Sequence, residues 1–518
     1  MKFLPSWKNA LLSLLAAGLL TLAFPDFEWW WMAWFALVPL MWAVEREGSV
    51  GRSFLLGWLF GTAFFFGTCW WLTYAPIHYA AMPWPVAYLL ILIACIGAGV
   101  FPGIFAGILS HLLRRFGYWA FLAAPFVWVL TEFLRYWLTG NNWNAVGYSQ
   151  FETRAGLGAA IGGVLYVTGI VAMANSYLIF LLRYQMLVKI EREFRLATAL
   201  VLLAIAGSMS LPVLHYEQTR PPKDGPVSRI IALQPNVPMS GLNFDKWQQL
   251  RQRQFDVAES EINKLTTDHR LPTTVILPES PMNFMYNDDR EFQQYVRDFT
   301  TRNNVSLLFN SAEPDPTNGK YFNSAVMIGA DGKMAAQYDK IYLLPFGEAV
   351  PVPFESVMPA FVGNFSYGRE YDLLPFGDAA GGIMICFESH FGQLSREYVS
   401  RGADVLIEMT NDGYLGPTPI LRQHLANAVF RAVETNRPVL RVTNVGITAY
   451  ITERGEVLDP APVYQEDTRV WTVSRSDGSQ TFYVRYGDWF AWLCTIVTLG
   501  LLIFGIATGR KSPLATGG

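Results

Sequence analysis

Charge is what this 518-residue chain has least of: 39 Lys and Arg with 42 Asp and Glu make up 16% of it, where an ordinary soluble domain carries about a quarter. The net charge of −3 is spread along the chain with no basic cluster, so a nucleic acid is not an expected partner. Cysteine is scarce as well. Of the four, Cys69, Cys95 and Cys494 lie in apolar runs, where a thiol acts as a small hydrophobe. Cys386 stands alone in the polar part of the chain, which excludes an internal disulfide framework there. No set of Cys and His has metal-ligand spacing, so neither a metal nor a cofactor is expected.

What the chain has instead is apolar length, with 52% hydrophobic and 15% aromatic residues. The charge deficit is confined to 1–213 and 487–509, whereas 214–486 has the mixed composition of a soluble fold. Three parts are therefore expected: a membrane part over 1–213, a soluble part over 214–486, and a last membrane helix with a short tail over 487–518. Eight segments approach the roughly 20 apolar residues that cross a bilayer core. They are 9–24, 29–45, 53–74, 86–113, 117–138, 156–182, 194–213 and 487–509. The first follows Lys2 and Lys8 as a signal peptide would, but it runs into Pro25 without a cleavage site and reads as a membrane helix.

Basic residues in short loops orient these spans. Lys2, Lys8, Arg46, Arg52, Arg114, Arg115, Arg183, Lys189, Arg192, Arg195, Arg510 and Lys511 all fall on one side. The positive-inside rule makes that side cytoplasmic, with both termini inside and 214–486 outside; in a bacterium this is a multi-pass inner-membrane protein with a periplasmic domain. Trp29, Trp30, Trp31, Trp34, Trp70 and Trp71 suit interfacial anchoring. Glu132 and Arg135, three apart on one helical face, are expected either to pair with each other or to meet a lipid.

Within 214–486, short β-branched runs at 230–233, 274–277, 305–309, 383–385, 405–407 and 439–442 alternate with amphipathic stretches at 245–265, 289–303, 391–400 and 418–436. This is the pattern of a layered α/β fold, in which strand ends carry chemistry. Three reactive residues sit at such ends: Glu279, Lys340 and Cys386. A thiol attacks as thiolate, a carboxylate can take its proton and return it to a leaving group, and an ammonium with the Phe387 N–H can face an oxyanion. The chemistry this allows is acyl transfer through a thioester. Singly, each residue also suits a plain role: a helix cap, a solvated turn, an apolar plug. His390 is expected to begin a helix and His424 to pack within one.

The chain resembles the apolipoprotein N-acyltransferases, membrane members of the nitrilase superfamily, over nearly its whole length. The matching stretches are Leu277-Pro278-Glu279-Ser280, Tyr338-Asp339-Lys340, Leu344-Pro345-Phe346-Gly347-Glu348, Ile385-Cys386-Phe387-Glu388, Thr410-Asn411-Asp412 and the helix from Gln423-His424 to Arg431-Ala432-Val433-Glu434. Arg437 to Arg441, Thr443 to Gly446, Gly147-Tyr148-Ser149-Gln150 and Tyr486-Gly487-Asp488-Trp489 extend the likeness. The resemblance implies an α-β-β-α nitrilase-like sandwich on an eight-helix membrane domain. It implies transfer of a fatty acyl chain from a phospholipid, usually phosphatidylethanolamine, through a cysteine thioester to the α-amino group of the S-diacylglyceryl cysteine of an apolipoprotein. Glu279 would be general base, Lys340 oxyanion stabiliser and Cys386 nucleophile, with Glu348 and Glu388 orienting Lys340 or holding the amine. Substrate contacts would fall to Trp143, Tyr148, Tyr414 and an apolar lid over Phe354, Val357, Met358, Phe361 and Phe365. Three positions depart from the family pattern: Phe387 replaces the usual Tyr, Gly413-Tyr414-Leu415-Gly416 replaces Ala-Trp-Phe-Gly, and no proline precedes Trp143. Two other readings stay open: a membrane-tethered amidase that passes its acyl group to water, and a transporter or lipid-binding scaffold with an inert soluble domain.

Overall fold

In the computed structural model, the described residues are 4–184, 198–199, 206–207, 225–265, 271–345, 347–350 and 365–507. They fall into two compact units: Met1–Gln218 with Thr418–Ala426 and Tyr486–Gly518, and Thr219–Pro417 with Asn427–Arg485.

The first unit is helical. Its main helices are α1 (Trp7–Leu22), α2 (Val38–Glu47), α3 (Val50–Cys69), α4 (Trp84–Phe116), α5 (Ala124–Thr139), α6 (Ala159–Tyr184) and α11 (Trp489–Ala507). Among the described residues, four continuous helical stretches are long and apolar enough to cross a membrane: Val50–His78, Trp84–Thr139, Arg154–Arg183 and Trp489–Ala507. Trp7–Leu22 is apolar but shorter. Two expected spans fare differently. Residues 29–45 do not form one helix but a 3-10 turn, Trp30–Trp34, followed by the ten-residue α2, which has Pro39 in its first turn and ends on charged residues before Gly48. Segment 194–213 lies almost wholly outside the described residues, so a count of eight is not confirmed.

Helices α3 and α4 meet through small residues on both sides. A Cβ on Gly57 would stand 2.2 Å from Pro102 O, and one on Gly61 2.8 Å from Gly99 Cα. Without a hydrophobic force between helices in lipid, such close backbone contact supplies the packing energy. Helix α6 is interrupted at Gly162 and Gly163, and the carbonyl of Ile161 there accepts a 2.8 Å bond from Trp489 Nε1. Glu132 and Arg135 do not pair with each other. The Glu132 carboxylate accepts from Trp128 Nε1 at 2.9 Å, Val146 N at 3.0 Å and Thr168 Oγ1 at 3.0 Å, while Arg135 donates to Trp143 O at 3.0 Å.

The second unit holds two six-stranded sheets. Its strands are β1 (Ser228–Gln234), β2 (Thr273–Ile276), β3 (Ser306–Pro314), β4 (Tyr321–Ile328), β5 (Met334–Asp339), β6 (Leu373–Phe376), β7 (Ala379–Ile385), β8 (Val405–Thr410), β9 (Val439–Thr443), β10 (Ala449–Ile451), β11 (Val457–Leu458) and β12 (Asp467–Val473). One sheet runs β12-β1-β2-β3-β4-β5, with β1, β2 and β3 parallel; the other runs β11-β10-β9-β8-β7-β6, with β7, β8 and β9 parallel. Helices α7 (Phe244–Lys264) and α8 (Arg290–Asn303) pack on the first sheet and α9 (Gly392–Ser400) on the second, while α10 (Ile420–Thr435) belongs to this unit from Asn427 on. Side chains two apart on a strand share a face. Ile231, Leu233, Leu307, Phe309, Val326 and Ile328 therefore meet the helix stripe Phe292, Val296, Phe299 and Phe255, while Ile230, Ala232, Leu308 and Ala325 are buried on the other face. Each such aromatic or branched side chain contributes about 1.5–3 kcal/mol. This is the expected α-β-β-α arrangement of layers.

Candidate active site

Three strand ends carry the reactive residues. Glu279 follows Pro278 in the loop after β2, Lys340 comes directly after β5, and Cys386 directly after β7, so the first sheet contributes two groups and the second sheet one. Parallel neighbours β7 and β8 are buried on both faces, which leaves their ends as the place where side chains emerge.

Lys340 is 1% exposed, and a lysine so enclosed must be paired. Its Nζ donates to Glu348 Oε1 at 2.8 Å. The other oxygen of Glu348 accepts from Leu344 N at 2.7 Å, which fixes the carboxylate. Asn323 on β4 then links the two acids, its Nδ2 lying 2.7 Å from Glu348 Oε1 and 3.2 Å from Glu279 Oε1. Asn310 Nδ2 donates to Asn323 Oδ1 at 2.6 Å and so orients that amide. The chain after Lys340 is held by Gly368, whose N donates to Lys340 O at 2.8 Å and where a Cβ would stand 2.0 Å from Asp339 O.

The Cys386 thiol hydrogen-bonds to Glu279. Its side chain keeps some accessible surface, yet protein atoms crowd the sulfur so densely that burial, and then the charge of Glu279, push the thiol well above its usual range, with Lys340 pulling the other way. Glu279 is raised too, by burial first, while Lys340 lowers it, Glu348 raises it, and bonds from Asn323 and Cys386 lower it. For Lys340, burial would lower the ammonium, but Glu348, Glu279 and Cys386 outweigh it and raise it above the ordinary lysine value. Thiol and carboxyl are thus both pushed up by burial, side by side, with the Lys340 ammonium favouring the charged form of each.

The turn that presents the thiol is unusual. Cys386 has φ +51°, a left-handed conformation that side-chain-bearing residues seldom adopt and that recurs at functional turns. It opens a 3-10 turn, Cys386–His390, whose first N–H groups have no partner within the turn. Phe387 N–H is in the first part of this turn. Glu388, fully buried, binds backbone rather than Lys340: Oε1 accepts from Ile341 N at 2.8 Å, Tyr342 N at 3.0 Å and Tyr338 OH at 2.7 Å, and Oε2 from Ile385 N at 2.9 Å. One carboxylate thus ties the turn after Lys340 to the turn at Cys386. Burial pushes it up to about 7.

The remaining sequence-singled residues are distributed as follows. Tyr414 is 48% exposed in the turn Asp412–Leu415 of the same unit. Trp143 and Tyr148 belong to the helical unit; Trp143 Nε1 donates to Gln423 Oε1 at 2.9 Å, and Tyr148 is buried. Phe354, Val357, Met358 and Phe361 lie outside the described residues, as does Phe346, while Phe365 bridges to Tyr321. His390 stacks on Phe387, and the His424 ring packs against Trp143. Sequence reasoning missed Asn310 on β3 and Asn323 on β4, and a buried ion cluster in which Arg441 on β9 pairs with Glu408 on β8 and, at 2.7 Å, with Asp412 Oδ2. Their signal was present as polar residues inside apolar strand runs.

Comparison with known proteins finds family matches in both parts of the chain. Residues 16–177 match the apolipoprotein N-acyltransferase N-terminal domain, and residues 274–483 match carbon-nitrogen hydrolase. The apolipoprotein N-acyltransferase of Geobacter metallireducens is 30% identical over 516 residues, covering 98% of this chain and 96% of its own. That of Thermotoga maritima is 29% identical, covering 97% and 94%. Among solved structures, an amidase from Nesterenkonia sp. is 15% identical with a TM-score of 0.35, covering 51% of this chain and 95% of its own. With a full-length relative at 30% identity and both domains matched in order, the chain belongs to the apolipoprotein N-acyltransferase family.

Proposed function

We propose that this protein is a membrane N-acyltransferase of lipoprotein maturation, which carries a fatty acyl chain from a phospholipid, through a thioester on Cys386, to the α-amino group of a diacylglyceryl-modified apolipoprotein. The observation that carries this reading is the meeting of a thiol, its carboxylate partner Glu279 and the enclosed ammonium of Lys340 at strand ends, in a chain whose other unit is made of apolar helices of bilayer length. Residues 1–213 and 487–518 form the membrane part and 214–486 the catalytic part. Short-loop charge favours cytoplasmic termini and an exported catalytic part, where an outer-leaflet phospholipid such as phosphatidylethanolamine is the acyl donor.

In the first step the Cys386 sulfur attacks the ester carbonyl while its proton passes to Glu279. The oxyanion forms against the Lys340 ammonium and Phe387 N–H, which act where charge develops. Collapse breaks the ester C–O bond, and the departing lysophospholipid oxygen takes the proton from Glu279. In the second step the acceptor amine attacks the thioester, giving a proton to Glu279; the C–S bond breaks and the sulfur recovers a proton from the same carboxylate. Glu348 and Asn323 keep Lys340 and Glu279 in register throughout. Tyr414, exposed in the turn Asp412–Leu415 of the catalytic part, provides an apolar contact for substrate.

The test is a two-stage incubation of the purified protein followed by intact-mass analysis. With labelled phosphatidylethanolamine alone, an acyl adduct should appear on Cys386 and be absent from Cys386→Ser. Adding a diacylglyceryl lipopeptide should discharge it to an amide. A thiol that stays unmodified defeats the thioester reading, and release of free fatty acid with no acylated peptide replaces it with the hydrolase reading.

A further inference from the structure

The turn bearing Cys386 has two ends, and its far end is held by a pair that takes no part in the steps above. Arg431 and Glu434, three apart on α10, are each 1% exposed. Arg431 Nη1 donates to Ser389 O at 3.0 Å and to His390 O at 2.9 Å, the last carbonyls of the 3-10 turn. Its other nitrogens grip Glu434 Oε2, Nε at 2.8 Å and Nη2 at 2.6 Å. The final carbonyls of a helical turn lack partners within it and carry partial negative charge, so a guanidinium aimed at two of them both satisfies and stabilises the turn. The surroundings leave Arg431 little freedom. A Cβ on Gly392 would stand 2.9 Å from Glu434 Oε2 and 2.7 Å from Tyr483 OH, so the chain leaving the turn passes this pair at a distance only glycine permits. Thr481 Oγ1 donates to Glu434 O at 2.5 Å and fixes the helix end from the other side.

We propose that Arg431, held by Glu434, is a positioning residue for the nucleophile: it clamps the C-terminal end of the Cys386–His390 turn so that Cys386 keeps its left-handed backbone and its sulfur stays against Glu279 and Lys340. The mechanical argument is one of opposed grips. Glu388 holds the start of the turn through Ile385 N, and Arg431 holds its end through Ser389 O and His390 O. A residue at φ +51° relaxes toward ordinary conformations when either grip is released, and the sulfur swings with it. Misplacement of a reacting atom by about 1 Å costs on the order of 100-fold in rate.

The inference rests on the reading of Cys386 as nucleophile, and the experiment separates the two. Arg431→Lys retains charge but can reach fewer carbonyls. Arg431→Met with Glu434→Leu removes both buried charges together, so that no unpaired ion is left to unfold the protein. Each is measured for single-turnover acylation per titratable Cys386 thiol, and independently for the rate and pH profile of Cys386 alkylation by iodoacetamide. Acylation per thiol is expected to fall about 100-fold in the double variant and about 10-fold in Arg431→Lys, with lipid KM little changed and the alkylation profile displaced, since the thiol has left its carboxylate and ammonium. Wild-type rates per thiol in either folded variant overturn the proposal, as does a loss confined to the number of titratable thiols, which is what mere destabilisation produces. A wild type that never acylates, yet whose alkylation profile shifts on substitution of Arg431, removes the proposed function and keeps the clamp.

Discussion

The helical unit and the sandwich differ in how they bury charge. In the helical unit the enclosed polar side chains mend backbone. Asn175 accepts from Leu37 N and donates to Ala33 O, both at 2.8 Å, where 3-10 turn and α2 meet. Gln150 donates to Trp30 O at 3.0 Å, and Glu132 takes its three donors from Trp, backbone and Thr. The ion pairs Arg52–Glu47 and Arg183–Glu45 sit at helix ends, with the arginine side chains 38% and 23% exposed. In the sandwich Glu388 and Arg431 also hold backbone, but several of the deepest polar groups are opposite charges locked together: Lys340 with Glu348, Arg431 with Glu434, and Arg441 with Glu408 and Asp412. The difference follows from what each unit has to satisfy. Helix interruptions in a bilayer expose peptide groups that no water can reach, so polar side chains go to them. Sheets satisfy their own backbone, so buried charge there is held at fixed positions by opposite charge.

That contrast predicts where a change of one atom matters most. Glu279→Gln keeps size and shape but cannot take the thiol proton, so acyl-enzyme formation should fall by about 10²–10⁴-fold in single-turnover measurement. The same change at Glu132 should leave acylation per thiol unaltered and cost about 1–3 kcal/mol of stability through a misplaced amide. Equal catalytic losses at the two sites would erase the distinction between mending and chemistry.

Stability gives the next largest effect. Lys340→Met strands Glu348 and Glu279 among buried surfaces without their cation, and breaking a buried pair in this way costs about 3–5 kcal/mol. Urea unfolding should show it, with Lys340→Met/Glu348→Gln recovering part of the loss. If Lys340→Met unfolds at the wild-type midpoint, the pair is not locked.

How much of this was legible in the chain follows the same division. Each of the apolar runs at 230–233, 274–277, 305–309, 383–385, 405–407 and 439–442 lies in or overlaps a strand, because strands buried on both faces are continuous hydrophobic runs. Strands β4 and β5 escaped notice: Asn323, Ser324 and Gln337 break their pattern, Asn323 and Ser324 finding cross-strand partners in Asn310 and Asp339 while Gln337 bonds Asp339 on its own strand. Glu348 was legible as a partner of Lys340, but the supports further out were hidden for that reason, since Asn323 is 44 residues from Glu279 and Arg431 is 42 residues from Ser389. In the membrane part, hydropathy marked the apolar segments but not backbone continuity. Residues 29–45 are apolar enough for a span, yet Pro39 and the Glu45-Arg46-Glu47 end confine the helix to Val38–Glu47.

The pH dependence of stability sharpens the sandwich side of the contrast. Glu388 lies fully enclosed among backbone N–H groups with its carboxyl raised to about 7, against an ordinary value of 4.5. A folded state that holds the proton more tightly than the unfolded chain is favoured at low pH, so this group's contribution is complete below about 4.5 and fades as pH rises through about 7. The melting temperature should fall across that window, and Glu388→Gln should flatten the slope. An unchanged slope would assign the dependence to another group.

The smallest effect tests the mending role alone. Trp489 opens α11, and its indole N–H reaches Ile161 O at 2.8 Å, where the break at Gly162 and Gly163 has removed that carbonyl's helical donor. The neighbouring Phe490 fills the notch: a Cβ on Gly169 would stand 2.7 Å from its ring, and one on Gly162 3.1 Å from its Cβ. Trp489→Phe removes the donor while keeping an aromatic ring, so it isolates one hydrogen bond, worth about 1 kcal/mol net and up to about 3 kcal/mol if the carbonyl is left without any partner. The loss should appear as a lower melting temperature in detergent, with acylation per thiol unchanged. Gly169→Ala should cost more, because the Phe490 ring must move. If Trp489→Phe were silent in stability, the break in α6 would be satisfied by other means and the mending role of the helical unit's polar groups would not extend to this site; if it lowered acylation per thiol instead, the separation between the two units' uses of polarity would fail at its weakest point.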